Sequence, residues 1–394
     1  MKDNQLISTL LDRGTADVIV RKELEQKLSS GKKLRVKLGI DPTGFDLTLG
    51  HAVVLRKLKQ FQDEGHQVVL IFGTFTGRIG DPTGKSQVRT ALTEAEIREN
   101  MKTYKEQAGK ILDISQCEIH ENGTWLSPMN FEHILELAGT FTVSQMLERE
   151  MYQERIKAGK EINLVEFFYP LMQGYDSVEV HSDLELGGTD QLFNNLAGRK
   201  IQEKFGQVPQ NVLTVPILVG TDGVEKMSKS LGNYVALNDS ATDMFGKTMS
   251  IPDNVMLNYF ELCTDVDLKI AEEKIKESPR NAKVFLAQEI VRLYHGDDAA
   301  VEALRDFEQK FVKKEVPDDI LEFKLPYDSK ALYAVIFEDL KFTKSGGEAR
   351  RLIEQGAVTV DGEVIKDFYF GLKIEKKTPR IIKVGKRNWA KITQ

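Results

Sequence analysis

Apolar and polar positions change their period several times along this chain, and the changes mark out its elements. Residues 34–41, LRVKLGID, lead through the turn PTGFDLTLG into HAVVLRKLKQFQDEG, where Val54, Leu55, Leu58 and Phe61 recur at helical spacing. HQVVLIFGTFT comes next, and its continuous VVLI run suits a strand buried on both faces. Strand, helix and strand in this order predict a βαβ unit and hence a parallel sheet. Open parallel sheets take ligands in the crevice beyond the carboxyl ends of their strands, so the turns after Asp41 and Thr76 are where chemistry is expected.

Residues 94–112 and 131–159 read as helical, the second with Ile134, Leu135, Leu137 and Ala138 on an apolar face that suits packing on the sheet or a subunit interface. NVLTVPILV, 211–219, predicts another buried strand, which Pro216 places near an edge or at a strand end. From Ser240 to Phe311 the pattern is helical and charged, with start signals at Ser240 and at Ser278-Pro279. Residues 312–329 carry scattered charges and two prolines without a period, which suits a linker. The tail restarts with a helical LYAVIFEDL, a second helix in KSGGEARRLIEQG ending at Gly356, and AVTVDGEVI, whose Asp361-Gly362 pair signals a hairpin.

Length and composition narrow the class. With 394 residues, 41% hydrophobic and 29% charged, the chain suits two or three ordinary globular domains. Cys117 and Cys263 stand far apart without a CxxC partner, so neither a disulfide framework nor a zinc site is offered. The N-terminus lacks the apolar core of a signal peptide, and the longest apolar run, Val68 to Phe72, is far short of the roughly 20 residues that cross a bilayer. A cytoplasmic location and no membrane partner are therefore expected. The net charge of −6 hides an uneven distribution: residues 330–394 hold 14 Lys+Arg against 8 Asp+Glu, net +6, which leaves −12 for residues 1–329. A basic, alternating tail on an acidic body suggests a small RNA-binding module.

Two motifs carry chemistry. Lys226-Met227-Ser228-Lys229-Ser230 follows Asp222-Gly223 and presents two ammonium groups three residues apart, able to grip a triphosphate as charge moves onto a leaving pyrophosphate. Thr48-Leu49-Gly50-His51 opens the first crossover helix, where backbone amides and the helix dipole favour a phosphate, Gly50 permits close approach and His51 can donate a hydrogen bond. Together these segments resemble the HIGH and KMSKS signatures of the class I aminoacyl-tRNA synthetases.

Further segments are similar to the tyrosyl-tRNA synthetases, bacterial members in particular. Tyr169-Pro170-Leu171-Met172-Gln173-Gly174-Tyr175-Asp176 and Gly187-Gly188-Thr189-Asp190-Gln191 look like that family's amino-acid pocket, Gly80 to Ser86 like its loop after the second strand, and the tail like its S-four type RNA-binding domain. The resemblance covers nearly the whole chain. It implies an α/β protein with a Rossmann-like parallel-sheet catalytic domain over 1–220, the lysine loop and an α-helical anticodon-binding domain over 221–315, a linker at 316–329, and a small α+β domain over 330–394. It also implies a homodimer, with 131–159 as the candidate interface.

For the site, the resemblance implies ATP contacts at Thr43, Thr48, Gly50, His51, Met227, Lys229 and Ser230, with His51, Lys226, Lys229, Lys85 and Arg89 serving catalysis. Tyrosine is expected to meet Lys37, Gly39, Asp41, Asp81, Tyr169, Gln173, Asp176 and Gln191. Asp81, Tyr169 and Gln173 would surround the ammonium, Asp176 would accept the phenolic hydrogen bond, and Gly39, Asp41 and Gln191 would line the adenylate. Phenylalanine would leave Asp176 desolvated and unpaired, an effect for which this family is itself the standing example. The implied partners are L-tyrosine, ATP and tRNA(Tyr). Magnesium would arrive with ATP, since the histidines show no metal-ligand spacing.

Several positions depart from the family pattern. Thr48 stands where the HIGH motif begins with histidine, Lys37 and Glu185 stand where one large bacterial branch has tyrosine and glutamine, and Thr74 stands where the branch with a KMSKS spelling usually has aspartate. Weaker phosphate contact is expected from Thr48. Gly84-Lys85-Ser86 also ends like a Walker A loop, but the required first glycine is Ile79, which argues against a P-loop. Three rival readings stay open: a synthetase-like RNA-binding or structural factor, favoured by Thr48; a working duplicate enzyme with altered inhibitor sensitivity, which fits the same substitutions; and tryptophan as the substrate, disfavoured by Asp176.

Overall fold

Residues 4–82, 92–314, 320–374, 379–385 and 388–393 are described by a computed structural model of the chain. The predicted βαβ unit forms. Six strands build its sheet: β1 (Asp17–Ile19), β2 (Arg35–Ile40), β3 (Gln67–Phe72), β4 (Glu118–Glu121), β5 (Leu184–Gly188) and β6 (Asn211–Val215). They lie in the order β1-β6-β5-β2-β3-β4, all parallel except the short edge strand β1, which runs antiparallel to β6. Val36, Val68 to Phe72, Leu184 and Leu186 are buried, as the unbroken apolar runs require of strands covered on both faces. β6 stops at Val215, one residue before Pro216.

The first crossover helix, Leu49–Asp63, turns Leu55, Leu58 and Phe61 fully inward. Its other end meets the N-terminal helix Asn4–Asp12, where the buried Lys57 ammonium caps that helix by donating to the carbonyls of Leu10 and Arg13 at 2.9 and 2.7 Å. The region 131–159 is three short helices, Phe131–Ala138, Val143–Leu147 and Glu150–Lys157. Two further helices, Tyr169–Glu179 and Leu192–Lys204, pack closely, and Gly174 permits it: a Cβ there would lie 2.6 Å from the Ile201 side chain and 3.1 Å from the Gly198 nitrogen.

The chain separates into two compact units, Met1–Leu304 and Arg305–Gln394. The division expected near residue 220 falls inside the first unit. Its helices Ala241–Met249, Met256–Cys263, Leu268–Glu277 and Pro279–His295 form the helical middle of the chain and bury Phe245, Met256, Tyr259, Phe260 and Leu286 completely. In the second unit, Glu363–Val364, Val358–Val360, Arg380–Val384, Asn388–Thr393 and Leu321–Lys324 form one sheet in that order. Leu321–Lys324 corrects the expectation of a linker there, since it pairs in parallel with Ala390–Thr393. Asp361 and Gly362 both take positive φ, 51° and 88°, as a tight hairpin demands.

Burial of Phe61 makes a stability prediction. Phe61→Ala should lower the unfolding free energy by about 3–5 kcal/mol in a urea titration, from lost apolar transfer and the cavity left behind.

Candidate active site

β5 and β3 leave β2 on opposite sides, and at that switch point the strand ends diverge. A cavity of about 230 Å³ opens there, walled by Leu38 to Asp41 of β2 and the turn after it, Ile71 and Gly73 from β3, Leu186 to Gly188 from β5, and Tyr169, Gln173 and Asp176 on the helix 169–179. Gly39 has open space where a side chain would project. Gly73 is obligatory, because a Cβ would fall 1.9 Å from an oxygen of Asp41.

The polar groups of this wall come in bonded sets. Asp176, 3% exposed, accepts from the Asn122 amide at 3.2 Å and from the Trp125 indole N–H at 2.8 Å. Burial pushes its carboxyl up to about 7, against the opposing pull of Lys37, Trp125 and Asn122. Asp41 accepts from Thr76 Oγ1 at 2.7 Å and from the Tyr169 hydroxyl at 2.8 Å. Burial, followed by Asp41, holds the Tyr169 phenol well above its ordinary range, so it stays a donor to Asp41 with its oxygen able to accept from another group. Asp81 accepts from the Gln191 amide at 2.5 Å.

A second cavity, about 340 Å³, shares Thr43, His51, Val54, Gly188 and Gln191 with the first and is lined on its other side by Lys226 to Ser230. His51 Nδ1 accepts the backbone N–H of Thr48 at 3.1 Å, with Thr48 Oγ1 at 2.9 Å. That leaves Nε2 as the N–H donor of the neutral ring. Burial, with Lys229 second, pulls the imidazole down to about 4, so it is neutral near pH 7. Lys226 reaches Asp190 at 3.3 Å, while Lys229 donates to the Asp46 carbonyl and the Tyr104 hydroxyl, each at 2.9 Å. Asn233 braces the loop: its Oδ1 accepts from the Ser228 N–H at 2.8 Å, and its Nδ2 donates to Asp222 at 2.6 Å and to the Lys226 carbonyl at 3.1 Å.

The arrangement is a two-chambered site, one chamber lined by carboxylates and amides, the other roofed by a lysine loop over a helix start. The family model described as tRNA synthetases class I (W and Y) matches residues 29–312, and the S4 domain model matches 335–374. A tyrosine–tRNA ligase of Carboxydothermus hydrogenoformans is 50% identical over 97% of this chain and 96% of its own length, and one of Thermotoga maritima is 48% identical over 98% and 96%. The chain belongs to the tyrosine–tRNA ligase family. The family fold is also that of a truncated mitochondrial tyrosyl-tRNA synthetase of Aspergillus nidulans (TM-score 0.64, 23% identity, 79% of this chain and 95% of that one). A tyrosyl-tRNA synthetase of Archaeoglobus fulgidus, solved with L-tyrosine, matches with TM-score 0.62 and 21% identity over 77% and 100% of the two chains.

In this family member the structure brings together Gly39, Asp41, Thr43, His51, Asp81, Tyr169, Gln173, Asp176 and Gln191 around the first cavity, and Thr48, Gly50, Lys226, Met227, Lys229 and Ser230 around the second. Lys85 and Arg89 lie outside the described residues. Lys37 corrects the expectation that it touches the ligand. It is fully buried, and its three ammonium protons go to the Gln173 carbonyl, Ser177 Oγ and Glu185 at 2.8–2.9 Å.

One departure gains a physical account: the Thr74 hydroxyl accepts the N–H of Gly123 at 3.0 Å, fixing the turn that carries Trp125. The N–H that residue 48 gives to His51 is its main chain's, so nothing in the structure explains the threonine there. Sequence reasoning missed Asn122, Trp125 and Asn233, because their partners Asp176 and Ser228 are joined to them by loop geometry rather than by any periodic spacing.

Asp176 makes a pH prediction. Its carboxyl protonates near 3.8 when exposed and near 7 when buried, so the folded chain binds more protons across that window and loses stability as pH rises through it. Measured by urea unfolding, the stability of the native chain relative to Asp176→Asn should be greater at pH 5 than at pH 8. An equal difference at both pH values would show that the carboxyl is not desolvated.

Proposed function

We propose that the chain activates L-tyrosine with ATP and transfers the tyrosyl group to the 3′-terminal adenosine of tRNA(Tyr). The observation that carries this reading is the joining of a chamber holding the buried Asp176 to one bounded by His51 and the lysine loop. Asp176, held by Asn122 and Trp125, accepts the phenolic O–H. Asp81, the Tyr169 oxygen and Gln173 receive the ammonium, which places the carboxylate toward the shared wall at Thr43, His51 and Gln191.

The tyrosine carboxylate oxygen attacks the α-phosphorus of ATP in line, the bond to the β-phosphate bridging oxygen breaks, and pyrophosphate leaves with that electron pair. The neutral His51 donates its Nε2–H to phosphate oxygen. Lys226 and Lys229 meet the growing charge on pyrophosphate, which requires Lys229 to exchange Tyr104 and Asp46 for phosphate. A ribose hydroxyl of the terminal adenosine then attacks the acyl carbon, its proton passes to the medium or the departing phosphate, and AMP leaves. Holding the reactants in line supplies much of the rate gain. Among the described residues no three His, Cys, Asp or Glu side chains gather as a metal site. Magnesium is assigned to ATP, whose phosphate charge it neutralises.

The S4-type unit and its excess of positive charge support tRNA binding through phosphate contacts that weaken with salt. Phe131, Leu135, Val143 and Leu164 are 72, 56, 64 and 68% exposed, and Ile134, Leu137, Val165 and Phe168 help line an apolar cavity of about 250 Å³. These exposed apolar side chains support the homodimer and its interface within 131–159. No helix among the described residues is long and apolar enough to cross a membrane. A cytoplasmic setting accords with charging tRNA.

Amino-acid-dependent ATP–pyrophosphate exchange across a panel of amino acids tests the reading: tyrosine alone should support it, and Lys229→Ala should lower it by about a hundredfold or more with the fold intact. Exchange with tryptophan, or with none, would overturn the substrate or the activity. Deleting residues 330–394 should leave exchange unchanged while sharply reducing aminoacylation of tRNA, as followed by acid-precipitable labelled tyrosine.

A further inference from the structure

Lys37 and Glu185 are register partners on β2 and β5, the two strands that meet at the switch point. Their ion pair, 2.9 Å long with side chains 0 and 1% exposed, lies on the face of the sheet that meets Gln173 and Ser177 of the helix 169–179. Replacing such a pair with packed apolar side chains is often neutral or stabilising. The fold alone therefore gives little reason for it here, and its hydrogen bonds point to a second role.

Glu185 is ringed by donors: Lys37 and the Gln173 amide, at 3.1 Å, on one oxygen, and Ser177 Oγ, at 3.2 Å, with the Gln210 amide on the other. A carboxylate paired with an ammonium only accepts, and the Lys37 ammonium donates to this one. The second Gln173 amide proton goes to Asn195 Oδ1 at 2.9 Å. Both protons of that amide are thus spent on the wall. Turning the amide over would set its carbonyl against the Glu185 carboxylate, acceptor against acceptor, so what Gln173 offers the cavity is an acceptor. Lys37 also donates to the Gln173 backbone carbonyl at 2.9 Å, anchoring the turn on which that side chain stands.

We propose that Lys37 and Glu185 are a positioning pair that fixes the polarity of the Gln173 amide, so that its carbonyl oxygen faces the substrate and selects an amino acid bearing a free ammonium. This rests on the reading of the first cavity as the tyrosine site. Neither residue touches the substrate; both act through Gln173.

The test compares binding of L-tyrosine with that of 3-(4-hydroxyphenyl)propanoate, which has the phenol and carboxylate but lacks the ammonium, alongside KM and kcat in tyrosine-dependent exchange. In Lys37→Met/Glu185→Gln both charges go, the volume is kept, and the amide is free to turn. L-tyrosine affinity should fall about tenfold or more, the scale of one charge-assisted hydrogen bond. The propanoate should stay within about twofold on the same scale. KM for tyrosine should rise while kcat at saturation holds. Glu185→Asp, which retains the charge but draws it back from Gln173, should show the same selective loss in smaller degree, and it decides the matter should the double variant not fold. Equal weakening of both ligands, or of neither, would overturn the proposal by leaving the pair a purely structural role. Failure of the unmodified protein to bind L-tyrosine would instead overturn the reading of the cavity, and the positioning role with it.

Discussion

A charge taken out of water has to be met by partners, and this requirement organises the wall of the first cavity. Lys37, Glu185 and Asp176 lie buried within or against the parallel sheet, and each is met by hydrogen bonds from different parts of the chain. The partners hold one another in place. Glu185 orients Gln173, Asn122 spans Asp176 and Thr76, and Thr76 joins Asp41, which in turn receives the Tyr169 hydroxyl. A ligand entering this wall meets groups whose donor and acceptor roles are already assigned. Recognition then costs little reordering, which is the physical meaning of a preorganised site.

The second cavity is built on the opposite principle. His51 is held in one tautomer by the main-chain N–H of Thr48, but the lysines above it rest on contacts that a phosphate can replace: a hydroxyl and a carbonyl for Lys229, a partly exposed carboxylate for Lys226. Asn233 fixes the loop's backbone while its side chains remain free to change partners. On the proposed function, a preorganised first cavity beside a second one whose lysines can exchange partners suits a reaction in which one substrate must be selected closely and the other must change charge distribution as it reacts.

How much was legible before the fold was known varies by segment. The βαβ unit, the helix 49–63 and the Asp361-Gly362 turn follow from short-range pattern, and each is present as read. The helical middle was legible in its charged, helical pattern, and its helices bury Phe245, Tyr259 and Phe260. One feature of organisation was not legible. Leu321–Lys324 looked like linker because a four-residue strand between prolines has no period long enough to detect.

At the site, sequence alone determined which chemical groups are present and, through two motifs, which family the chain belongs to. It could not say what each group faces. Lys37 was expected to touch the ligand, and the neighbours that make it a buried partner, Gln173, Ser177 and Glu185, stand more than a hundred residues away in the chain. Asn122 and Trp125 sit in a short turn without signature, and only the meeting of that turn with the helix 169–179 makes them the donors that hold Asp176. Residue type and local spacing are written in the chain. The protonation, orientation and accessibility of a polar group depend on what surrounds it in three dimensions, and packing across distant segments decides that.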